Sequence, residues 1–301
     1  MKVIYLNVNK PTKLPADTAL CIGEFDGVHI GHQELIKAAG RLCKNIAIMT
    51  FEPHPEAIIK GINNIKLLTP ISERLKVFEA YGVNIALVVN FDINVQKMDK
   101  NEFLKFLEKL SFKTIVCGHD FRFGYLGIGN KDDLMNAFDT YVVSKYEHFG
   151  KRVSSSRIRQ LLSVGAIDDA NELLGRKYHL SGLVIHGNQK GREIGFPTAN
   201  IKYDDYYLPQ TGVYIGEVFV KSKKYYGMIN IGHNPTMNFQ DELRVEVNIF
   251  EFDDDIYDEI IDIYFIERVR PEKKFISTDE LIVELKRNKE YGIRKYLKGG
   301  K

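Results

Sequence analysis

Cysteine is scarce: Cys21, Cys43 and Cys117 are the three present, far apart and in no CxxC pair. Their spacing excludes a disulfide framework and a zinc knuckle, and it suits a reducing cytoplasm. Long apolar runs are missing as well. None approaches the ~20 residues that span a bilayer, and no charged stretch leads into an apolar core at the N-terminus, so neither a membrane anchor nor export is expected. Neither sign of charge is in excess, with 42 Lys and Arg against 40 Asp and Glu for a net charge of +2. Bulk capture of nucleic acid or anionic lipid is therefore not expected, and any affinity for phosphate has to be local. The pattern GxxxxGK followed by Ser or Thr is absent, which removes a P-loop from consideration. With 9 prolines, 44% hydrophobic and 27% charged residues, the composition is that of an ordinary globular protein. Its 301 residues suffice for two cores.

The first half alternates short apolar runs with helical periods. Ala19–Gly23, Ile46–Phe51, Ile85–Phe91, Thr114–Gly118 and Tyr141–Ser144 read as buried strands, separated by helical segments over Gln33–Leu42, Ile71–Tyr81 and Glu102–Leu110. Thr69-Pro70 reads as a cap followed by proline at the first helical position, Gly82 as a helix stop, and Asp99 with Glu102 as a capping box. This rhythm predicts an α/β domain with a mostly parallel sheet that binds ligands at the carboxyl ends of its strands. Near residue 178 the pattern changes. Leu180–Ile185, Val213–Val220, Tyr225–Ile231, Val245–Phe252 and Ile260–Ile266 are strand-like, broken by Gly, Asn, Asp and Pro, and predict an antiparallel barrel. Asp279 is the expected cap of a terminal helix running through Leu281, Leu285 and Tyr291. The expected domains are residues 1–180 and 181–301, with no internal repeat.

Residues 23–32, GEFDGVHIGH, follow the first of these strands and open a helix. Backbone N–H groups and the dipole at a helix start favour an anion, Gly27 and Gly31 let the backbone approach it, and His29 with His32 can donate to phosphate oxygens from one side. A second anion site is readable at Arg152-Val153-Ser154-Ser155-Ser156-Arg157-Ile158-Arg159, where hydroxyls at a helix start stand among three arginines. The stretch Gly23-x-Phe25-Asp26-Gly27-x-His29-x-Gly31-His32 resembles the HxGH signature of nucleotidyltransferases in the form found in bacterial FAD synthetases. Phe51-Glu52-Pro53-His54-Pro55, Gly118-His119-Asp120-Phe121-Arg122-Phe123-Gly124 and the serine-arginine stretch match that family in order and spacing. The resemblance implies that Gly23, Phe25, Asp26, Gly31, Arg152, Ser155 and Ser156 meet ATP. It further implies that His29, His32 and Arg157 neutralise the charge developing on phosphate, and that Phe51, His54, Asp120 and Phe123 border the flavin nucleotide. His54 is expected to bound a substrate loop and not to ligate metal, since no second ligand lies at a helical or strand spacing. His119 receives no role.

Gly191-Arg192-Glu193-Ile194-Gly195-Phe196-Pro197-Thr198-Ala199-Asn200 lies between strands of the second half. If extended, Thr198 and Asn200 point the same way and can offer a hydroxyl and a carboxamide oxygen to a phosphate-bound magnesium, while Gly191 and Gly195 keep the loop close to a nucleotide. Phe-Pro-Thr-Ala-Asn resembles the nucleotide and metal motif of riboflavin kinases. Asn230-Ile231-Gly232-His233-Asn234-Pro235-Thr236 resembles their second Pro-Thr loop, and the strand from Arg244 to Phe252 resembles the one carrying the catalytic glutamate, which places that role on Glu246. Glu246 and Asn248 share one face of the strand, opposite Val245, Val247 and Ile249, so the carboxylate is expected on the polar side. Arg192, Gly195, Pro197 and Thr198 join Gly191 as nucleotide contacts. Three positions depart from the pattern: Asn234 where arginine is usual, Asn248 where histidine is, and Glu251 where aspartate is. Arg244, Lys190 and Arg192 are the cations available as replacements for the first.

The resemblance spans essentially the whole chain and implies a bifunctional enzyme. ATP phosphorylates riboflavin to FMN in the C-terminal barrel, and a second ATP adenylylates FMN to FAD in the N-terminal domain, each with magnesium. Two other readings stay open at this point: an adenylyltransferase with an impaired kinase half, and a flavin-sensing module. Expected partners are the small molecules ATP, riboflavin, FMN and FAD, without nucleic acid or membrane, in a cytoplasmic monomer or weak homo-oligomer.

Overall fold

Strands β1 (Lys2–Leu6), β2 (Thr18–Ile22), β3 (Asn45–Glu52), β4 (Ile85–Asn90), β5 (Thr114–Gly118) and β6 (Thr140–Val143) form one sheet in the order β1-β4-β3-β2-β5-β6, with every pairing parallel. The computed structural model describes residues 1–187, 190–233 and 243–298, the side chain of Lys190 excepted. The helices of this part are α1 (Ile30–Leu42), α2 (Pro55–Lys60), α3 (Ile71–Ala80), α4 (Ile93–Lys97), α5 (Lys100–Glu108) and α6 (Lys131–Ala137). Leu35, Ile36 and Ala39 of α1 with Phe78 of α3 build one apolar cluster, while Phe103, Phe106 and Leu107 of α5 join a second. The chain runs outward from β2 in both directions, so the order reverses beside that strand, and all five of its residues are buried. Ligand crevices of such sheets lie at this reversal, outside the carboxyl ends. Residue 23 follows directly.

The strands anticipated in this half are present with ends shifted by a residue or two. Strand β1 was not anticipated; it is an edge strand whose Ile4 and Leu6 meet the larger apolar cluster while Lys2, Val3 and Tyr5 are exposed. The capping box of Asp99 and Glu102 forms at α5. Thr69 does not cap α3: Pro70 occupies the cap position without a side-chain bond, and the Thr69 carbonyl accepts from Arg74 instead. Burial pushes the thiol of Cys117 up to about 11 and raises that of Cys21 as well, so both are inert packing residues.

Strands β7 (Tyr178–Ile185), β8 (Ala199–Lys202), β9 (Gly212–Val220), β10 (Lys223–His233), β11 (Leu243–Ile249) and β12 (Ile260–Arg270) close an antiparallel barrel in the order β7-β8-β11-β10-β9-β12. Before the barrel come α7 (Ser155–Ser163) and α8 (Ile167–Leu174); α9 (Lys190–Glu193) precedes β8, and α10 (Thr278–Gly292) follows the last strand. Leu285 and Tyr291 pack α10 and the turn after it onto Val213, Ile215, Met228 and Phe250. Its cap is Ser277, whose side chain accepts from the Glu280 N–H, and Asp279 is a first-turn residue instead.

By packing, the chain divides into Met1–Ser155 and Ser156–Lys301. The division precedes the change of pattern near 178 because α8 is tied to the barrel. Asn171 donates to the Phe265 carbonyl at 3.0 Å and accepts from the Tyr178 N–H at 2.6 Å.

Candidate functional site

Beyond Gly23, whose N–H still donates to the Met49 carbonyl at 3.2 Å, the backbone turns sharply. Phe25, Gly27 and Val28 take φ of 55°, 84° and 39°. Positive φ on a β-branched residue is strained and persists only where the surroundings over-determine it. They do so here: Phe25 is fully buried, edge-on to Phe78 with centroids 5.5 Å apart, and the Gln33 carboxamide donates to the Val28 carbonyl at 2.9 Å. His29 caps α1. Its Nδ1 accepts from the His32 N–H at 3.3 Å, so the neutral ring carries its hydrogen on Nε2. The His32 ring stacks on it with centroids 3.6 Å apart and planes 13° from parallel, and Phe25 lies 5.0 Å from His32. A Cβ on Gly31 would come within 3.2 Å of two atoms of the His29 ring, a tight contact that glycine avoids where that ring folds over the helix entrance. Two stacked imidazoles at the positive end of a 13-residue helix form a set of donors suited to phosphate oxygens.

Distant segments clamp this turn. The Asp26 carboxylate, 2% exposed, accepts from the N–H groups of Leu68 and Thr69 at 3.1 and 3.0 Å. Ser155 Oγ donates to the Asp26 carbonyl at 2.8 Å, which ties Ser155 to the turn. Ser156 and Arg157 continue α7 in the second unit. Arg74, fully buried, donates through Nη1 to the Glu24 carbonyl at 2.9 Å and Thr50 Oγ1 at 3.1 Å, and through Nε and Nη2 to the Thr69 carbonyl at 3.3 and 3.2 Å. Sequence reasoning passed over Arg74. Its signal was a cation on the stripe that Ile71 and Phe78 share on α3.

The residues expected around the flavin nucleotide are spread between packing and ion pairs. His54 caps α2 through Nδ1, and its Nε2 lies 3.1 Å from a Glu24 carboxylate oxygen. Phe51 packs edge-on against Phe91 with centroids 5.7 Å apart, Phe123 packs against Phe103 at 5.1 Å, and both belong to the larger apolar cluster. Asp120 is exposed and pairs with Arg152, so two residues expected on different ligands meet each other.

In the barrel, register assembles the second site. Asn200 on β8 and Asn230 on β10 lie directly opposite Glu246 on β11, one on each side, so the three side chains share one face. Burial raises the Glu246 carboxyl above its ordinary value, and the charge of Arg244 opposes that shift. The face that Glu246 shares with Asn248 is partly covered: Glu246 is half-buried, Asn248 is 2% exposed, and the Asn248 Nδ2 donates to the Pro197 carbonyl at 2.7 Å. A Cβ on Gly191 would collide with the Phe196 carbonyl oxygen and stand 3.3 Å from Thr198 Oγ1, so the loop lies as close to Thr198 as a backbone without a side chain allows. Bonds from Phe196 N–H to the Gly191 carbonyl (2.7 Å) and from Gly195 N–H to the Arg192 carbonyl (3.2 Å) hold it there.

A cavity of about 370 Å³ opens beside this loop, lined by Arg192, Pro197, Thr198 and Val247 and, across it, by Asp253, Asp254, Asp255 and Tyr257. The His186 ring stacks on Tyr257 at 3.8 Å. Sequence reasoning did not single out the aspartates or Tyr257. No group of three or more His, Cys, Asp or Glu side chains among the described residues could hold a metal ion. Thr198 and Asn200 supply hard oxygen donors instead, which fit magnesium, a cation that takes few protein ligands and completes its shell with phosphate and water. Asn234, Pro235 and Thr236 and the Lys190 side chain lie outside the described residues.

Two family models match the chain: FAD synthetase over residues 12–157 and riboflavin kinase over residues 174–296. Curated relatives named bifunctional riboflavin kinase/FMN adenylyltransferase are similar along nearly all of it. The one from Listeria monocytogenes is 35% identical with 96% of each chain covered, and the one from Bacillus subtilis is 35% identical over 93% of this chain and 92% of its own. The relative from Escherichia coli strain K12 is 32% identical over 89% and 90%. A solved Streptococcus pneumoniae structure described as a macrolide-efflux protein superposes with a TM-score of 0.88 at 33% identity, covering 96% of this chain and 98% of that one. Among the described residues no helix is long and apolar enough to cross a membrane.

Proposed function

The chain belongs to the bifunctional riboflavin kinase/FMN adenylyltransferase family, and we propose that it makes FMN and then FAD by two ATP-dependent transfers at the two sites described. The observation that supports this reading is two sets of polar side chains suited to phosphate, the stacked His29 and His32 at a helix start and Asn200 opposite Glu246 in the barrel, in a chain that both family models match. Adenylylation is assigned to residues 1–180 and phosphorylation to residues 181–301.

In the kinase reaction the 5′-hydroxyl oxygen of riboflavin attacks the γ-phosphorus of ATP. An O–P bond forms, the β–γ bridging bond breaks towards ADP, and Glu246 takes the hydroxyl proton. A carboxyl raised by burial is a stronger base than an ordinary glutamate once ionised, which suits it to that proton. Thr198 and Asn200 are the proposed holders of magnesium, which when bound supplies charge neutralisation on the phosphate oxygens. The cavity between Arg192, Thr198 and the aspartates is the proposed seat of the nucleotide.

In the adenylyl transfer a phosphate oxygen of FMN attacks the α-phosphorus of ATP and pyrophosphate leaves, with no covalent enzyme intermediate. His29 and His32 donate to the phosphate oxygens, Arg157 adds a fixed positive charge, and Gly23, Phe25, Asp26, Gly31, Ser155 and Ser156 shape the nucleotide site. Phe51 and Phe123 support the flavin site by packing, and His54 and Asp120 border it, with Arg152 beside Asp120. The three cysteines are buried and free, in keeping with a reducing cytoplasm.

The test is a product assay. Purified protein with magnesium and ATP is given riboflavin in one reaction and FMN in another, and products are separated by chromatography. FMN and FAD from the first and FAD from the second are expected. Failure to form FAD from FMN would refute the adenylyltransferase reading, and failure to form FMN from riboflavin would refute the kinase reading.

A further inference from the structure

Asn248 stands one pleat along β11 from Glu246, on the same face, and is 2% exposed. Its Nδ2 donates to the Pro197 carbonyl at 2.7 Å, one residue before Thr198 and three before Asn200. Its Oδ1 is buried and has no hydrogen-bond partner among the described residues. A carboxamide left half-satisfied weakens a fold, and an apolar side chain of similar size would pack there without that cost. Sequences keep such local violations where function requires them. The one bond Asn248 does make joins the strand carrying the base to the segment carrying the oxygen donors.

Across this edge Ala199, Asn200 and Ile201 pair with β11, while Thr198 precedes the strand and Pro197 has no N–H to donate. We infer that Asn248 is a positioning residue for the kinase reaction, setting Thr198 and Asn200 relative to Glu246 through the Pro197 carbonyl. The inference rests on the kinase reading. It also explains how this chain accommodates asparagine: any side chain that presents an N–H donor at this depth serves, and one that lacks it does not.

Two variants of the full chain test this, Asn248→Leu, which removes the donor, and Asn248→His, which restores one. Riboflavin phosphorylation is measured for kcat, riboflavin KM and half-saturating magnesium, and amide hydrogen exchange over residues 198–201 is followed without nucleotide or metal. In Asn248→Leu, kcat is expected to fall about ten-fold and half-saturating magnesium to rise about ten-fold, with riboflavin KM changed by no more than about two-fold. Exchange at 198–201 quickens, and FMN adenylylation is unchanged. Asn248→His recovers kcat to within about three-fold of the parent. Should the leucine variant not fold, Asn248→Asp, which sets an acceptor against the Pro197 carbonyl, is read in the same way. Unaltered kcat, magnesium dependence and exchange in the donorless variant overturn the inference while the kinase reading stands. Parent protein that forms no FMN from riboflavin overturns both.

Discussion

On the proposed reading the two sites solve one problem, holding the phosphates of ATP, with opposite architectures. In the first unit the key side chains are near neighbours in sequence, His29 and His32, and the work lies in forcing the backbone between β2 and α1 into positive φ. In the second the key side chains come from different strands, and register sets Asn200 beside Glu246. A strained turn fails when its clamps are removed, because its backbone conformation is unfavourable by itself. A register site is carried by ladder bonds and fails when the reacting side chain, or a neighbour that seats it, is changed. The comparison teaches where fragility lies: in residues distant along the chain for the first site, and in the site residues and their strand neighbours for the second.

The widest separation of the two should come from the reacting side chains. His29→Ala and His32→Ala are each expected to lower FMN adenylylation about 10²–10³-fold while leaving riboflavin phosphorylation untouched. Glu246→Gln is expected to do the reverse, lowering phosphorylation about 10²–10⁴-fold. Steady-state assays with riboflavin and with FMN as separate substrates check both. Loss of both activities in any one of these variants would contradict two independent sites.

Next in size is the effect of the clamps. Arg74→Met keeps the side-chain volume but removes the guanidinium bonds to the Glu24 and Thr69 carbonyls, the first of which keeps its bond from Thr50 Oγ1, at an expected cost of about 2–4 kcal/mol to the first unit. Ser155→Ala removes the bond from Ser155 to the Asp26 carbonyl and should cost about 1 kcal/mol. Urea titrations followed by limited proteolysis of the first unit give both values. Adenylylation should weaken along with stability in each, and phosphorylation in neither. A neutral Arg74→Met would mean that the turn holds itself.

The same contrast governs what could be read before the fold was known. The HxGH stretch was legible because its chemistry and its conformation sit in ten consecutive residues, and the sheet was legible because buried strands are continuous apolar runs. Edge strand β1 was not, since in its five residues Ile4 and Leu6 alone turn inward, too short an alternation to stand out. Arg74 was invisible because a cation on an apolar stripe looks like a flaw until its carbonyl partners are known to converge from Glu24 and Thr69. The pairing of Asp120 with Arg152 and the bond from Asn248 to Pro197 depend on how the chain returns on itself, which no local pattern encodes. Glu246 was placed by motif, and alternation along a strand separates two faces without saying how far each is covered.

That covered face yields the smallest effect and the closest test of the register site. Burial raises the Glu246 carboxyl in the folded chain, so folding disfavours its ionised form. The corresponding stability is complete below the ordinary glutamate pKa, about 4.3, and is lost as pH rises through the higher folded value. Glu246→Gln, which cannot ionise, should therefore match the parent in melting temperature near pH 4 and exceed it by about 2–4 °C near pH 8. Kinase turnover must run the other way, because the base acts only when ionised. FMN formation by the parent should fall on the acid side at a pH above that of an exposed glutamate, just where the stability difference begins to open. Thermal melts and rate profiles over one pH series check the two together. A parent that melts above Glu246→Gln at pH 8 would mean that the Arg244 charge, not burial, governs this carboxyl, and the acid limb should then move down to the ordinary range or below it.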